Sequence, residues 1–340
     1  MKLKVLDPSE NEISHFPLVI GGCSLTLKNN YLYRNTPINI SEEYLEEEIA
    51  DLLGRQKNSK SDDFEFFFKR DITVVGKLDE KVVAFNLKYS NNYFHFLVEY
   101  LPTLYEFIER KKLSESTIIL TGPIHKNFLF ILNFVTDNKM TIRSINLYDA
   151  IYVKKVFILD RTFFANERID KVAPKSYYDS QKILNLRNYL FRKLNLNTSF
   201  THKKNRKIFV PRRSTIRNVA NLDEIINICR RYSIEIIYPE RISFLEQVSI
   251  FNNSELILGP MGAWVTNLMF SRENCKAFLF GPHTSKMTLW EDYGSIFNVS
   301  VKVTYCQVHK LNKIQPIHSD FVIQPKFFIN LLNRLLKNPS

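Results

Sequence analysis

The stretch 238–270 constrains this chain most. Two runs with helical spacing flank a short apolar strand at 255–258, which ends in the turn Gly259-Pro260-Met261-Gly262 before a helix restarts at Ala263. A strand that feeds a glycine turn and then a helix is an anion site by construction. Backbone N–H groups point outward there, and the helix dipole favours negative charge. Upstream, Phe209-Val210-Pro211-Arg212-Arg213-Ser214-Thr215-Ile216-Arg217 sets three guanidinium groups just after another short strand. Arginine suits phosphate because its planar fork donates two hydrogen bonds at once. Together these residues predict a site for a small molecule bearing a diphosphate.

From residue 93 onward, helical and strand-like patterns alternate, the signature of a layered α/β protein. The first 40 residues read as strands, and Ser41 caps a predicted helix over 42–53. Strand patterns at 72–75 and 82–87, separated by 76–81, predict a hairpin. A helical pattern follows from 93, with Pro102 inside it, so a kink or a fresh helix start is expected. His95 and Glu99 are four apart and share one helix face. A long amphipathic helix is predicted over 176–194. The basic connector His202-Lys203-Lys204-Asn205-Arg206-Lys207 then leads into a second α/β unit. The last helix, over 326–336, has an apolar face suited to packing back on the body.

At 340 residues the chain is long for one core and comfortable for two domains. These are read as an N-terminal acceptor-side α/β domain over 1–195, a C-terminal Rossmann-like domain over 205–318, and a helix over 319–340 returning toward the N-terminal domain. The net charge of +12 favours anionic partners. The basic residues are dispersed and no nucleic-acid-binding motif appears, so nucleic acid is not expected as a partner. A Rossmann-type dehydrogenase is disfavoured because Gly259-Pro260-Met261-Gly262 lacks the G-x-G-x-x-G spacing. The four cysteines are far apart and predict buried free thiols in a reducing compartment. The N-terminus lacks a signal-peptide core and no run is long enough to span a bilayer. A cytoplasmic location is expected.

Four segments in order resemble glycosyltransferase family 61, particularly its bacterial capsular polysaccharide members. They are Asn92-Tyr93-Phe94-His95-Phe96-Leu97-Val98-Glu99 with Leu101-Pro102; Ile208-Phe209-Val210-Pro211-Arg212-Arg213 with Arg217 and Asn221; Ser243-Phe244-Leu245-Glu246-Gln247; and Gly259-Pro260-Met261-Gly262-Ala263 with Thr266-Asn267-Leu268-Met269-Phe270. The likeness covers residues 85–285. It implies a GT-B architecture of two Rossmann-like domains facing across a cleft, and inverting transfer from a nucleotide-sugar donor, linked to UDP or CMP. The acceptor would be a growing capsule- or lipopolysaccharide-type glycan, free or lipid-linked, reached at the inner face of a membrane. Two departures stand out. Met261 occupies the place of a histidine common in the family, and Trp264 replaces a small residue.

In such a transfer a base removes the acceptor proton while the nucleoside diphosphate leaves. His95 is the expected base, since an imidazole titrates at about 6.5 and Glu99 one turn on can orient it. Glu99 is the second candidate. The leaving charge is assigned to Arg212, Arg213 and Arg217 and to the backbone of Met261, Gly262 and Ala263. Arg212 and Arg213 are adjacent on an extended segment and point oppositely, so one of them is expected to reach phosphate. Gly259, Pro260 and Gly262 shape the turn. Glu246 is expected at the donor ribose, and Gln247 and Asn267 either touch the donor or hold the turn. No D-x-D pattern is present, so no metal and no cofactor beyond the donor are expected. The competing reading is a non-catalytic α/β protein that binds nucleic acid or an anionic glycan.

Overall fold

The computed structural model describes residues 73–85, 92–110, 113–146, 149–165, 176–196, 205–284, 288–313 and 315–337, with short strands at 4–6, 12–14, 18–20, 25–28, 31–34, 55–56 and 65–66. The predicted helix over 42–53 and Cys23 lie outside the described residues. Two compact units divide the chain, 1–162 and 163–340.

The first unit is built on a mixed sheet. Its parallel core comprises β1 (Thr73–Phe85), β2 (Ile118–Thr121), β3 (Ile142–Ser144) and β4 (Asp149–Phe157), in the spatial order β3-β2-β1-β4. Short N-terminal strands, Glu12–Ser14 and Leu18–Ile20, pair antiparallel with β4. The expected hairpin is absent: β1 is one strand of 13 residues. Gly76, at φ 152°, follows a register shift against β4 that lies between Ala150 and Ile151. The predicted turn is therefore a bulge that bends a single strand, and glycine supplies the positive φ that other residues resist. Val82, Ala84, Ile118, Leu120, Ile151 and Val153 form the buried core of this sheet.

After β1 the chain enters a π-helix, His95–Tyr100, and then α1 (Leu101–Glu109). Proline explains the change of register. Pro102 has no N–H for the carbonyl of Val98, four residues back. That carbonyl accepts instead from Thr162 Oγ1, while the Glu99 carbonyl accepts from the Thr162 N–H at 3.0 Å. Phe96 packs on Phe85 edge to face and stacks on Phe128 of α2 (Lys126–Val135), at centroid distances of 5.5 and 4.5 Å.

In the second unit, residues 176–178 pair as a strand with Phe163–Ala165, so the long helix starts later than expected, as α3 (Ser180–Leu194) capped by Asp179. Arg187 fixes α3 to this unit. It is buried, donates to the Met269 carbonyl at 2.8 Å and the Ser271 carbonyl at 3.2 Å, and lies over the Phe191 ring. This is why 163–196 belongs with the second unit and the division falls earlier than the basic connector.

The second unit's sheet comprises β5 (Arg206–Phe209), β6 (Glu235–Ile236), β7 (Ser254–Pro260), β8 (Lys276–Pro282), β9 (Ser300–Lys310) and β10 (Asp320–Val322). Their order is β6-β5-β7-β8-β9-β10, parallel up to β9, with β10 antiparallel at the edge. Between strands run α4 (Leu222–Arg231), α5 (Phe244–Asn252) and α6 (Leu289–Ser295). In α4, Asp223 and Glu224 stand in the first turn and Arg230 and Arg231 in the last, each matched to the dipole. The last helix, α7 (Pro325–Lys337), buries Phe328, Leu331 and Leu332 against β5, β8 and α4. Its core partners belong to its own unit. Among the described residues no helix is long and apolar enough to cross a membrane.

Candidate active site

In the first unit, β1 and β4 are neighbours although β1 leads on to β2 at its other side. The carboxyl ends of such a strand pair form the crevice where open α/β sheets place ligands. His95 follows β1 and Arg161 follows β4. Nδ1 of His95 meets Glu99 Oε2, and Glu99 Oε1 receives Arg161 Nε at 2.9 Å. The Glu99 side chain is buried and that of Arg161 mostly so, whereas the His95 side chain is 25% exposed. An ionised carboxylate only accepts, so Nδ1 holds the proton and Nε2 is the basic nitrogen. Arg161 is a residue that sequence reasoning missed. No spacing announces it, since a long run of chain separates it from Glu99. Pro102 gave a partial signal: a carbonyl deprived of its N–H needs a donor from elsewhere, and the donor proves to be Thr162, next to Arg161.

Removing Arg161 leaves Glu99 as a buried carboxylate without its cation. Arg161→Met is expected to cost about 3–5 kcal/mol, read as a lowered urea midpoint. A loss below about 1 kcal/mol would show that Glu99 is held by other groups.

In the second unit the switch in strand order falls between β5 and β7. Their carboxyl ends are Val210-Pro211-Arg212 and Gly259-Pro260-Met261-Gly262, the two segments that the sequence singled out. Neither glycine has a positive φ; Gly262 is fully extended at 179°. Both are required by close approach instead. A Cβ on Gly259 would sit 2.4 Å from the Val210 carbonyl oxygen, and one on Gly262 would sit 2.5 Å from an Arg212 guanidinium nitrogen. Arg212 therefore lies directly on the turn. Half-buried, it donates to the Ile216 carbonyl at 3.2 Å and to Ser214 Oγ at 3.3 Å, both neutral acceptors. Burial draws its pKa below the usual guanidinium value.

The remaining expected donor residues fall into two groups. Arg217, at φ 55°, donates its N–H to the His318 carbonyl at 3.1 Å, and Arg217 and Arg212 both act electrostatically on the His318 ring. Gly262 and Ala263 open the segment Ala263–Phe270, the helix expected to restart here, which is a 3-10 helix. Its first N–H groups lie outside its own ladder.

The others are engaged elsewhere. Arg213 is exposed and pairs with Asp223 at 2.7 Å. Glu246 is the N3 member of a capping box, its carboxylate accepting from the Ser243 N–H and Oγ. Gln247 donates to the Pro239 carbonyl at 2.9 Å and accepts from Asn267 Nδ2 at 3.0 Å, so this buried pair holds the turn. The Met261 N–H extends the β7–β8 ladder to the Phe280 carbonyl, and its side chain is buried on Gly281. It therefore offers neither its side chain nor its N–H to an anion. The Pro260 carbonyl accepts from Trp264 Nε1 at 2.7 Å, which clamps the turn.

A groove of about 590 Å³ lined by Arg206, Lys207 and Glu235 lies at the opposite, amino end of this sheet. Its cations already have carboxylates, Arg206 with Glu235 and Lys207 with Glu255. Cys229, Cys275 and Cys306 are buried free thiols that burial pushes up to about 12, so they are poor nucleophiles. Among the described residues no three His, Cys, Asp or Glu side chains gather as metal ligands.

Two parallel-rich sheets, each with its charged residues at a switch point, define a Rossmann-like α/β protein. The chain belongs to glycosyltransferase family 61: the family model described as Glycosyltransferase 61 matches residues 93–278, more than half of its length. The match takes in both His95 and Gly262. It establishes a glycosyltransferase, which transfers a sugar from a donor to a glycan acceptor. A comparison with curated proteins found no match.

Proposed function

We propose that this glycosyltransferase inverts the anomeric carbon by direct displacement from a nucleotide-sugar donor, extending a capsule- or lipopolysaccharide-type glycan. The donor's diphosphate rests on Arg212, Arg217 and the Gly262-Ala263 turn, and His95 Nε2 takes the acceptor proton. In this reading the two units are the halves of a GT-B enzyme, and fixed cations do the work that a metal does elsewhere. The observation that carries the proposal is Arg212. It is a half-buried cation whose partners among the described residues are neutral acceptors, laid on a glycine turn at a switch point. A buried charge left in that state is costly unless a ligand brings the opposite one. Two cations favour a diphosphate, and hence a UDP-linked donor over a CMP-linked one.

The test is a thermal-shift screen against nucleoside diphosphates and nucleotide sugars, with and without EDTA. Binding to the folded state raises Tm by mass action; saturation at ~100 Kd corresponds to about 2.7 kcal/mol. A shift with one nucleoside diphosphate that survives EDTA is expected. A shift that EDTA abolishes would overturn metal independence, and no shift with any nucleotide would overturn the donor assignment. The anomeric configuration of the product, read by NMR, decides inversion.

A further inference from the structure

We propose that His318 is a third cation of the diphosphate site, taking up a proton from solvent when the diphosphate binds and returning it when the product leaves. This rests on the donor assignment above. His318 ends the short 3-10 turn Pro316–His318, just before β10. Because β10 runs antiparallel to β9, its start lies at the carboxyl end of the parallel strands, the same end as Arg212 and Gly262. The arginine-bearing loop is stitched to this segment. Arg217 N–H donates to the His318 carbonyl at 3.1 Å, Phe321 N–H donates to the Asn218 carbonyl at 3.0 Å, and Ala220 N–H donates to the Phe321 carbonyl at 2.8 Å. His318 Nδ1 is buried and has no hydrogen-bond partner among the described residues. A buried polar atom in that state is costly and calls for an explanation.

Among the described residues, the charged groups that act on the ring are Arg217 and Arg212, both from the loop after β5. Asp320, two residues on, accepts through Oδ1 from the Asn218 N–H at 2.7 Å, and Thr284 Oγ1 donates to the Pro316 carbonyl at 2.6 Å. Burial, then Arg217, then Arg212 hold the His318 pKa below the usual imidazole value. The ring is therefore neutral near pH 7. A bound diphosphate cancels the field of the two guanidinium groups and adds its own, and both changes favour the imidazolium. Affinity is constant above the raised pKa of the complex, strengthens as pH falls toward the lowered pKa of the free protein, and levels off below it.

The experiment follows the His318 imidazole resonance, assigned by its loss in His318→Gln. It is titrated from pH 5 to 8.5 in the full-length protein, with and without saturating inorganic pyrophosphate in EDTA. Without pyrophosphate the midpoint is expected below about 6.5. With it, the midpoint is expected at least tenfold higher in proton affinity. Pyrophosphate alone isolates the anion site from any choice of base or sugar. Binding seen through Tm or other resonances, with an unmoved His318 midpoint, overturns the proton coupling and leaves the donor assignment standing. Failure of pyrophosphate to perturb the protein at any concentration overturns both. Calorimetry in buffers of different ionisation enthalpy gives a second readout: proton uptake on binding should fall in His318→Gln relative to wild type, which cancels the ionisation of pyrophosphate itself.

Discussion

Replacing His95 by alanine is expected to lower kcat by about 10²–10⁴-fold while leaving donor affinity within about twofold. The expectation rests on how the ring is held. Glu99 is buried and takes Nδ1, Arg161 takes the other carboxylate oxygen at 2.9 Å, and Thr162 anchors the backbone beneath them through the carbonyls of Val98 and Glu99. The side chain is thereby fixed with Nε2 as its basic atom. A general base acts only in the transition state, so its loss should appear in kcat rather than in ground-state binding. Initial rates and an independent donor Kd separate the two. Unchanged turnover would remove His95 as the base. If Glu99→Gln proved the more damaging change, with the fold intact, Glu99 would be the proton acceptor and His95 a neighbour.

Arg212→Ala should weaken nucleoside diphosphate binding by about 10–100-fold, the worth of one or two charge-assisted hydrogen bonds. Arg213→Ala should change it by less than about twofold. Arg213 is exposed and paired with an exposed Asp223, an interaction that contributes little. Calorimetric titration of the two variants checks both. Equal losses would mean that net charge, rather than the placement of Arg212 on Gly262, governs binding. Gly262→Ala should reproduce much of the Arg212 effect without removing a charge. Its Cβ would meet the guanidinium at 2.5 Å, so the Arg212 head must leave the turn.

Much of the architecture was legible in the chain. The apolar run of β7, the glycine turn after it and the alternation of periods announced a parallel α/β sheet, because strand, turn and helix are each set by residues close in sequence. The likeness of four ordered segments named the family for the same reason. The helix-sharing pair His95 and Glu99 could be read from a spacing of four. What local rules misjudged were the places where tertiary partners set the geometry. The hairpin at 72–87 became one bulged strand because β4 pairs along its whole length. The helix over 176–194 lost its first residues to Phe163–Ala165.

The sequence by itself determined which elements form, which segments carry charge, and that one of two adjacent arginines would turn away. Only the tertiary structure decided which one, since the direction of Arg212 depends on the missing Cβ of a glycine in the turn after another strand. It alone supplied Arg161 to Glu99 and His318 to the arginine loop. Such pairings join groups far apart in the chain, and burial decides their energies. No spacing in a sequence records what two distant segments exclude from water.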